Sequence, residues 1–195
     1  MKNKEDNILI ISNEKVYEDK GGYYCDNADI KTIIEGLDNL HSINIICRRS
    51  NKRRSLKINH RKIYLVKGPI SFLNNLYKAI KDKSSKCLLI SLTPFTFLYF
   101  LFLLILRKKI FIFLRSDGYE EYKAILGSKW TWIYHIMFAL VLKKSHIIVC
   151  QERLAKGKKH DLVNPSEIDE NWFKDYKKAK LDKTKLLYVG RISVE

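Results

Sequence analysis

Apolar residues in this chain fall in short β-rich runs, separated by longer stretches that repeat at helical spacing. "NILIIS" is the first run and reads as a buried strand. "EDKGGYYCDN" follows as a loop with two glycines. Ala28 to Leu40 then places Ile30, Ile33, Ile34 and Leu37 on one helical face. "INIICR" and "KIYLVKG" predict the second and third strands. Ser71 is positioned to cap a helix carrying Phe72, Leu73, Leu76, Tyr77 and Ile80. "KIFIFLRSDG" predicts a fifth strand that ends in polar residues. Tyr119 to Leu142 predicts two helices broken at Gly127-Ser128, and "HIIVCQ" a sixth strand.

The stretch from Cys87 to Leu106 has no charged residue and is followed by Arg107, Lys108 and Lys109. One reading is a bilayer span with a basic cytoplasmic flank. The other splits it at Thr93-Pro94, because proline disfavours helix for the residue before it and suits a first helical turn. "CLLISL" is then a fourth strand and "FTFLYFLFLLIL" a buried helix. The alternation in the rest of the chain favours the split.

Near-continuous apolar strands alternating with helices predict a parallel sheet covered on both faces, an α/β Rossmann-like doubly wound domain. Ligands in such sheets bind outside the carboxyl ends of the strands. The loops to examine are therefore Ser12–Asn27, Arg48–His60, Thr93–Pro94, Arg115–Glu121 and Gln151–Gly157.

Composition narrows the partners. A chain of 195 residues with 46% hydrophobic and 30% charged residues is globular. Its net charge of +16 favours anionic partners. No acid occurs from Asn39 to Lys81, where Arg48, Arg49, Arg53, Arg54 and four further basic residues cluster. That segment is either a solvated basic loop or a surface that meets anions. It lacks aromatic interleaving and any helix-turn-helix or zinc-finger frame, so nucleic acid is not expected and an anionic lipid surface is the better partner. The four cysteines form no CxxC pair and the histidines have no metal-ligand spacing, so no metal is expected and a reducing, cytoplasmic compartment fits. The N-terminus is not a signal peptide.

Two loops could carry chemistry. Gly21-Gly22 matches neither GxGxxG nor a P-loop, and is either a plain turn or a place where backbone meets phosphate. In "FLRSDGYEEY", Arg115 could hold a phosphate or carboxylate, and Asp117 could take a hydroxyl proton or bind a sugar hydroxyl. Asp117 acting only as a helix cap beside Gly118 is the alternative.

Two further phrases resemble the family-4 glycosyltransferases of the GT-B fold. "LVNPSEIDENWF" matches at Val163, Pro165, Ile168, Asp169 and Phe173, with Ser166-Glu167 in place of the usual Asn-Gly. "LLYVGRISVE" is similar to the opening of that family's second domain at Leu187, Val189, Gly190, Arg191 and Glu195. The usual Gly-His before the second strand is absent, and Arg115-Ser116-Asp117 stands where a histidine is common.

The resemblance implies a retaining transferase that moves a sugar from a nucleotide sugar to a glycan or polyprenyl-linked acceptor, without a metal or other cofactor. It divides the chain into an acceptor-binding domain at 1–162, a linker at 163–184 and the start of a donor-binding domain at 185–195. The chain is then half of an enzyme and inactive alone. Gly21, Gly22 and Arg191 would face the donor diphosphate. Arg115, Ser116 and Tyr119 would meet the acceptor, with Asp117 the catalytic candidate. Arg48, Arg49, Arg53 and Arg54, with the helix at Phe95–Leu106, would contact an anionic membrane or acceptor on the inner membrane face. A binding domain without turnover, or a protein anchored by one span at 87–106, is the alternative.

Overall fold

A computed structural model describes residues 7–81, 86–116 and 118–163. The strands are β1 (Asn7–Asp19), β2 (Gly22–Cys25), β3 (Ser42–Arg49), β4 (Leu56–Ile58), β5 (Ile63–Val66), β6 (Lys86–Ile90), β7 (Lys109–Leu114), β8 (His146–Val149) and β9 (His160–Leu162). The helices are α1 (Ala28–Leu40), α2 (Pro69–Lys81), α3 (Pro94–Ile105), α4 (Gly118–Leu126) and α5 (Thr131–Lys144).

Seven of these strands pair in parallel in the order β5-β3-β1-β6-β7-β8-β9. Counted along the chain, the first six parallel strands stand 3-2-1-4-5-6, an order compatible with a Rossmann-like fold. Period-2 alternation explains why both faces are apolar. Leu9, Ile11, Cys87, Leu89, Ile110, Ile112, Ile147 and Val149 join one buried cluster with residues of α2, α3 and α5. Ile10, Ile45, Cys47, Ile63, Ile90 and Phe113 join another with Ile30 and Ile34 of α1. The covered sheet holds the core, and helices lie on both sides of it.

The split at Thr93-Pro94 is present. Thr93 caps α3, its hydroxyl accepting from the Thr96 N–H at 3.2 Å while the Thr96 hydroxyl accepts from the Thr93 N–H at 2.9 Å. The uncharged stretch is thereby divided into β6 and α3. Among the described residues, no helix is long and apolar enough to cross a membrane. The break at Gly127 also holds, as α4 ends there and a 3-10 turn over Ser128–Trp130 leads into α5.

Three local readings change. α2 starts at Pro69, two residues before the expected cap. Proline suits a first helical turn, and the Ser71 hydroxyl reaches back, accepting from the N–H groups of Lys67 and Gly68, each at 2.9 Å. The expected glycine loop is also mostly strand. β1 runs on to Asp19 and turns through Lys20-Gly21 into antiparallel β2, with Asp19 opposite Gly22. Gly22 has φ +125°, which a side chain would strain. The arginine-rich stretch likewise contributes β4, which pairs antiparallel with β2. No helix covers the crossover from β3 to β5; the β2–β4 ribbon and α1 share that side, where Ile58 and Cys25 are buried together.

Candidate functional site

β1 lies between β3 and β6, and its pairing with β6 ends at Ser12 opposite Ile90. Beyond that point the chain order of the strands reverses, so the carboxyl edge opens into the crevice where α/β sheets take ligands. The pairing of β1 with β3 shifts register between Ile11 and Lys15, which sets Ser12, Asn13 and Glu14 at the mouth. On the other lip Ser91 has φ +63°, an unusual conformation for serine. Its N–H donates to the Phe113 carbonyl at 2.9 Å and its carbonyl accepts from the Thr96 hydroxyl at 2.8 Å.

Arg115, at the end of β7, reaches across this edge. Its guanidinium pairs with the Asp29 carboxylate and donates to Asn27 Oδ1 at 3.4 Å. Its carbonyl accepts from the Cys150 thiol at 3.0 Å. Asn27 also caps α1, its Oδ1 accepting from the N–H groups of Asp29 at 3.1 Å and Ile30 at 3.3 Å. Asp29 in the first turn complements the positive end of the helix. Segments 86 to 88 residues apart along the chain are thus locked together by one side chain whose charge is largely spent on the protein.

Glu14 stands beside this cluster. Burial raises its pKa, against smaller lowering effects from the Asp26 N–H and the Arg54 and Arg115 charges. The Asp26 N–H donates to Glu14 Oε1 at 3.4 Å. With a folded-state pKa above the unfolded one, the protonated carboxyl favours the folded chain, and that contribution is lost as pH rises through the folded pKa. Glu14→Gln is therefore expected to stabilise the protein at neutral pH. The gain should shrink as thermal melts are repeated down through pH 4 and vanish near about pH 3, where glutamate is protonated in both states.

The basic stretch is less open than its sequence suggested. Arg54 pairs with Asp26 and its Nε donates to the Ser50 hydroxyl at 3.1 Å. Arg49 lies 3.7 Å from Glu18, and Arg48 donates to Asn13 Oδ1 at 3.4 Å. Arg53 is exposed. The partners Asn13 and Glu18 come from β1 and Asp26 directly follows β2, far off in sequence, which is why a local charge count missed them. Arg54, with the Ser55 N–H, also holds the Asp26 carboxyl below the usual carboxylate range.

The remaining expected residues do not all converge. Gly21 and Gly22 sit at the hairpin tip, separated from the start of α1 by the length of β2, about 10 Å. The Gly21 N–H donates to Asp19 Oδ1 at 2.7 Å. These glycines turn a ribbon; they do not line the α1 N-terminus. Ser116 is exposed beside Arg115. Tyr119 lies with its ring against His135, centroids 5.0 Å apart. Asp117 and Arg191 lie outside the described residues, as do the linker and second-domain segments apart from Val163. Gly118 is required by packing, because a Cβ there would come within 2.6 Å of the buried Tyr134 ring.

A groove not anticipated from sequence runs between α2 and α3. Its volume is about 490 Å³, with Phe72, Leu73, Phe95, Leu98 and Phe102 as apolar lining and Arg48 and Lys67 as charged members. The signal that could have found it is the aromatic spacing of the two helices: Phe72 packs on Tyr99 with centroids 3.9 Å apart and meets Phe95 edge-on.

Cys25, Cys47 and Cys87 offer no reactive thiolate. Burial raises the pKa of Cys25 and Cys47, and pushes Cys87 up to about 11. Among the described residues, no three His, Cys, Asp or Glu side chains gather as a metal site requires. No protein-family model matches the chain, and no curated protein matches it.

Proposed function

We propose that the chain forms the acceptor-binding part of a retaining sugar transferase, working at the inner membrane face. A nucleotide sugar is the donor and a glycan or polyprenyl-linked molecule the acceptor. The observation that carries the reading is the crevice beyond β1 and β6, bridged by Arg115 and bordered by Glu14 and the strained Ser91. Its place in a sheet of 3-2-1-4-5-6 order is where such folds bind ligands. The phrases at Val163–Phe173 and Leu187–Glu195 supply the chemistry by resemblance. In this reading residues 185–195 begin a donor-binding domain, with Arg191 as its candidate contact to the departing diphosphate.

The α2–α3 groove supports a lipid-linked acceptor. An apolar trough with Arg48 and Lys67 among its lining residues suits a hydrocarbon chain that carries a phosphate. Ser116, Asp117 and Tyr119 would approach the acceptor sugar.

A panel of labelled nucleotide sugars, incubated with membrane lipid extract, tests the proposal. Label should enter the lipid or glycan fraction when the chain continues into a donor domain. The 195-residue chain should bind acceptor lipid without transferring sugar. Strong transfer by that chain alone would contradict the acceptor-half assignment. Absence of transfer by the extended protein, with acceptor binding retained, would favour a binding module. The engagement of Arg115 by Asp29 and Asn27 is the specific observation on the side of that second reading.

A further inference from the structure

α3 and α5 are apolar nearly all round, a composition expected of helices with no wet side. They pack beside each other on one face of the sheet, burying Tyr99, Phe100 and Leu103 from α3 and Tyr134, Met137, Phe138 and Val141 from α5. Their opposite sides are open. On α5, Trp132, Ile136 and Leu140 recur at a four-residue spacing and are 56%, 51% and 41% exposed. On α3, Leu98 and Ile105 lie seven residues apart and are 50% and 75% exposed. No other described element covers these side chains.

Charge selects the occupant. Neither helix contains an acidic residue, and the exposed cations Arg107, Lys143 and Lys144 follow or close their C-terminal ends. Because both helices run between successive parallel strands, those ends share one edge of the sheet. Trp130 and Trp132 stand at the other end of α5. A protein partner would be expected to find a polar handle about every 100–200 Å². The middle of the α5 side offers one, the exposed His135, and its ring is engaged with Tyr119. A bilayer needs none: it takes aliphatic side chains among its acyl chains, tryptophan at the headgroup boundary and cations on anionic lipid.

We propose that the outer face of α3 and α5 is the surface on which the protein lies against an anionic bilayer. This deepens the peripheral-membrane part of the reading above and rests on it, but shifts the main contact from the arginine-rich stretch and α3 to the joint face of α3 and α5. α5 becomes the principal anchor.

Co-sedimentation with vesicles of equal parts phosphatidylcholine and phosphatidylglycerol tests the assignment. The triple variant Trp132→Ser, Ile136→Gln, Leu140→Gln should bind at least about tenfold more weakly than the parent, at unchanged melting temperature, since these side chains are exposed. Arg107→Glu with Lys143→Glu should weaken binding to anionic vesicles and flatten its dependence on salt. Brominated acyl chains should quench the parent's tryptophan fluorescence and spare that of the triple variant. Full binding by the triple variant, with loss in Arg48→Glu, Arg53→Glu, overturns the helical face while leaving a peripheral protein. No binding by any form overturns both readings. A concentration-dependent dimer that only the triple variant loses would assign the face to a second copy and overturn the bilayer.

Discussion

Phe100→Ala is expected to lower the unfolding free energy by about 4 kcal/mol. The residue is fully buried in the cluster that joins α3 to the sheet, and its ring stacks on Phe97 with centroids 5.8 Å apart. Removing it deletes the transfer energy of the ring and leaves a cavity that the flanking strands, held by their hydrogen-bond ladders, cannot close. For a domain of this size the melting temperature should drop by roughly 10 °C. Leu98→Ala, two residues away on the exposed side, should change stability by no more than about 0.5 kcal/mol. Urea unfolding of the pair measures the contrast. Equal effects would mean that α3 does not pack in the register described.

The second large effect is expected at Arg115. Arg115→Met removes the ion pair with Asp29 and the bond to Asn27, whose partners are mostly shielded from water. An exposed pair contributes about 0.5 kcal/mol and breaking a buried one costs about 3–5 kcal/mol, so an intermediate loss of about 2 kcal/mol is expected here. The positive end of α1 offsets part of the charge left on Asp29. Adding Asp29→Asn should recover part of that loss, and a double-mutant cycle reads the coupling. Under the proposed function, transfer by the extended protein should fall on the order of 100-fold, because a displaced α1 misplaces the crevice wall. Arg115 is then a positioning residue. Its loss should appear mainly in kcat, with acceptor KM little changed. A large rise in KM alone would instead put the guanidinium on the acceptor.

Much of the architecture was legible from local pattern. Six of the parallel strands, the Thr93-Pro94 boundary and the Gly127 break each depend on residues within one or two turns of one another. Such signals survive folding because apolar period and turn chemistry act locally. The misreadings had a shared cause. "EDKGGYYCDN" and "RRSNKRRSLKI" carry the composition of loops, yet each contributes a strand because the other is there to pair with it. Strand pairing across about 30 residues leaves no mark in either segment alone.

The candidate site divides in the same way. Arg115 could be singled out from its position after an apolar strand, but its partners could not. Asn27 and Asp29 drew no notice in the sequence, and only the sheet order brings the end of β7 to the start of α1. Glu14 carried no sequence signal, since its pKa is raised chiefly by burial, which only the fold creates. The sequence by itself determined the alternation of strand and helix and the basic character of the chain, because both follow from residue type and spacing. Tertiary structure decided which charges are spent internally and which apolar helix sides stay exposed, because exposure and ion pairing depend on neighbours distant along the chain.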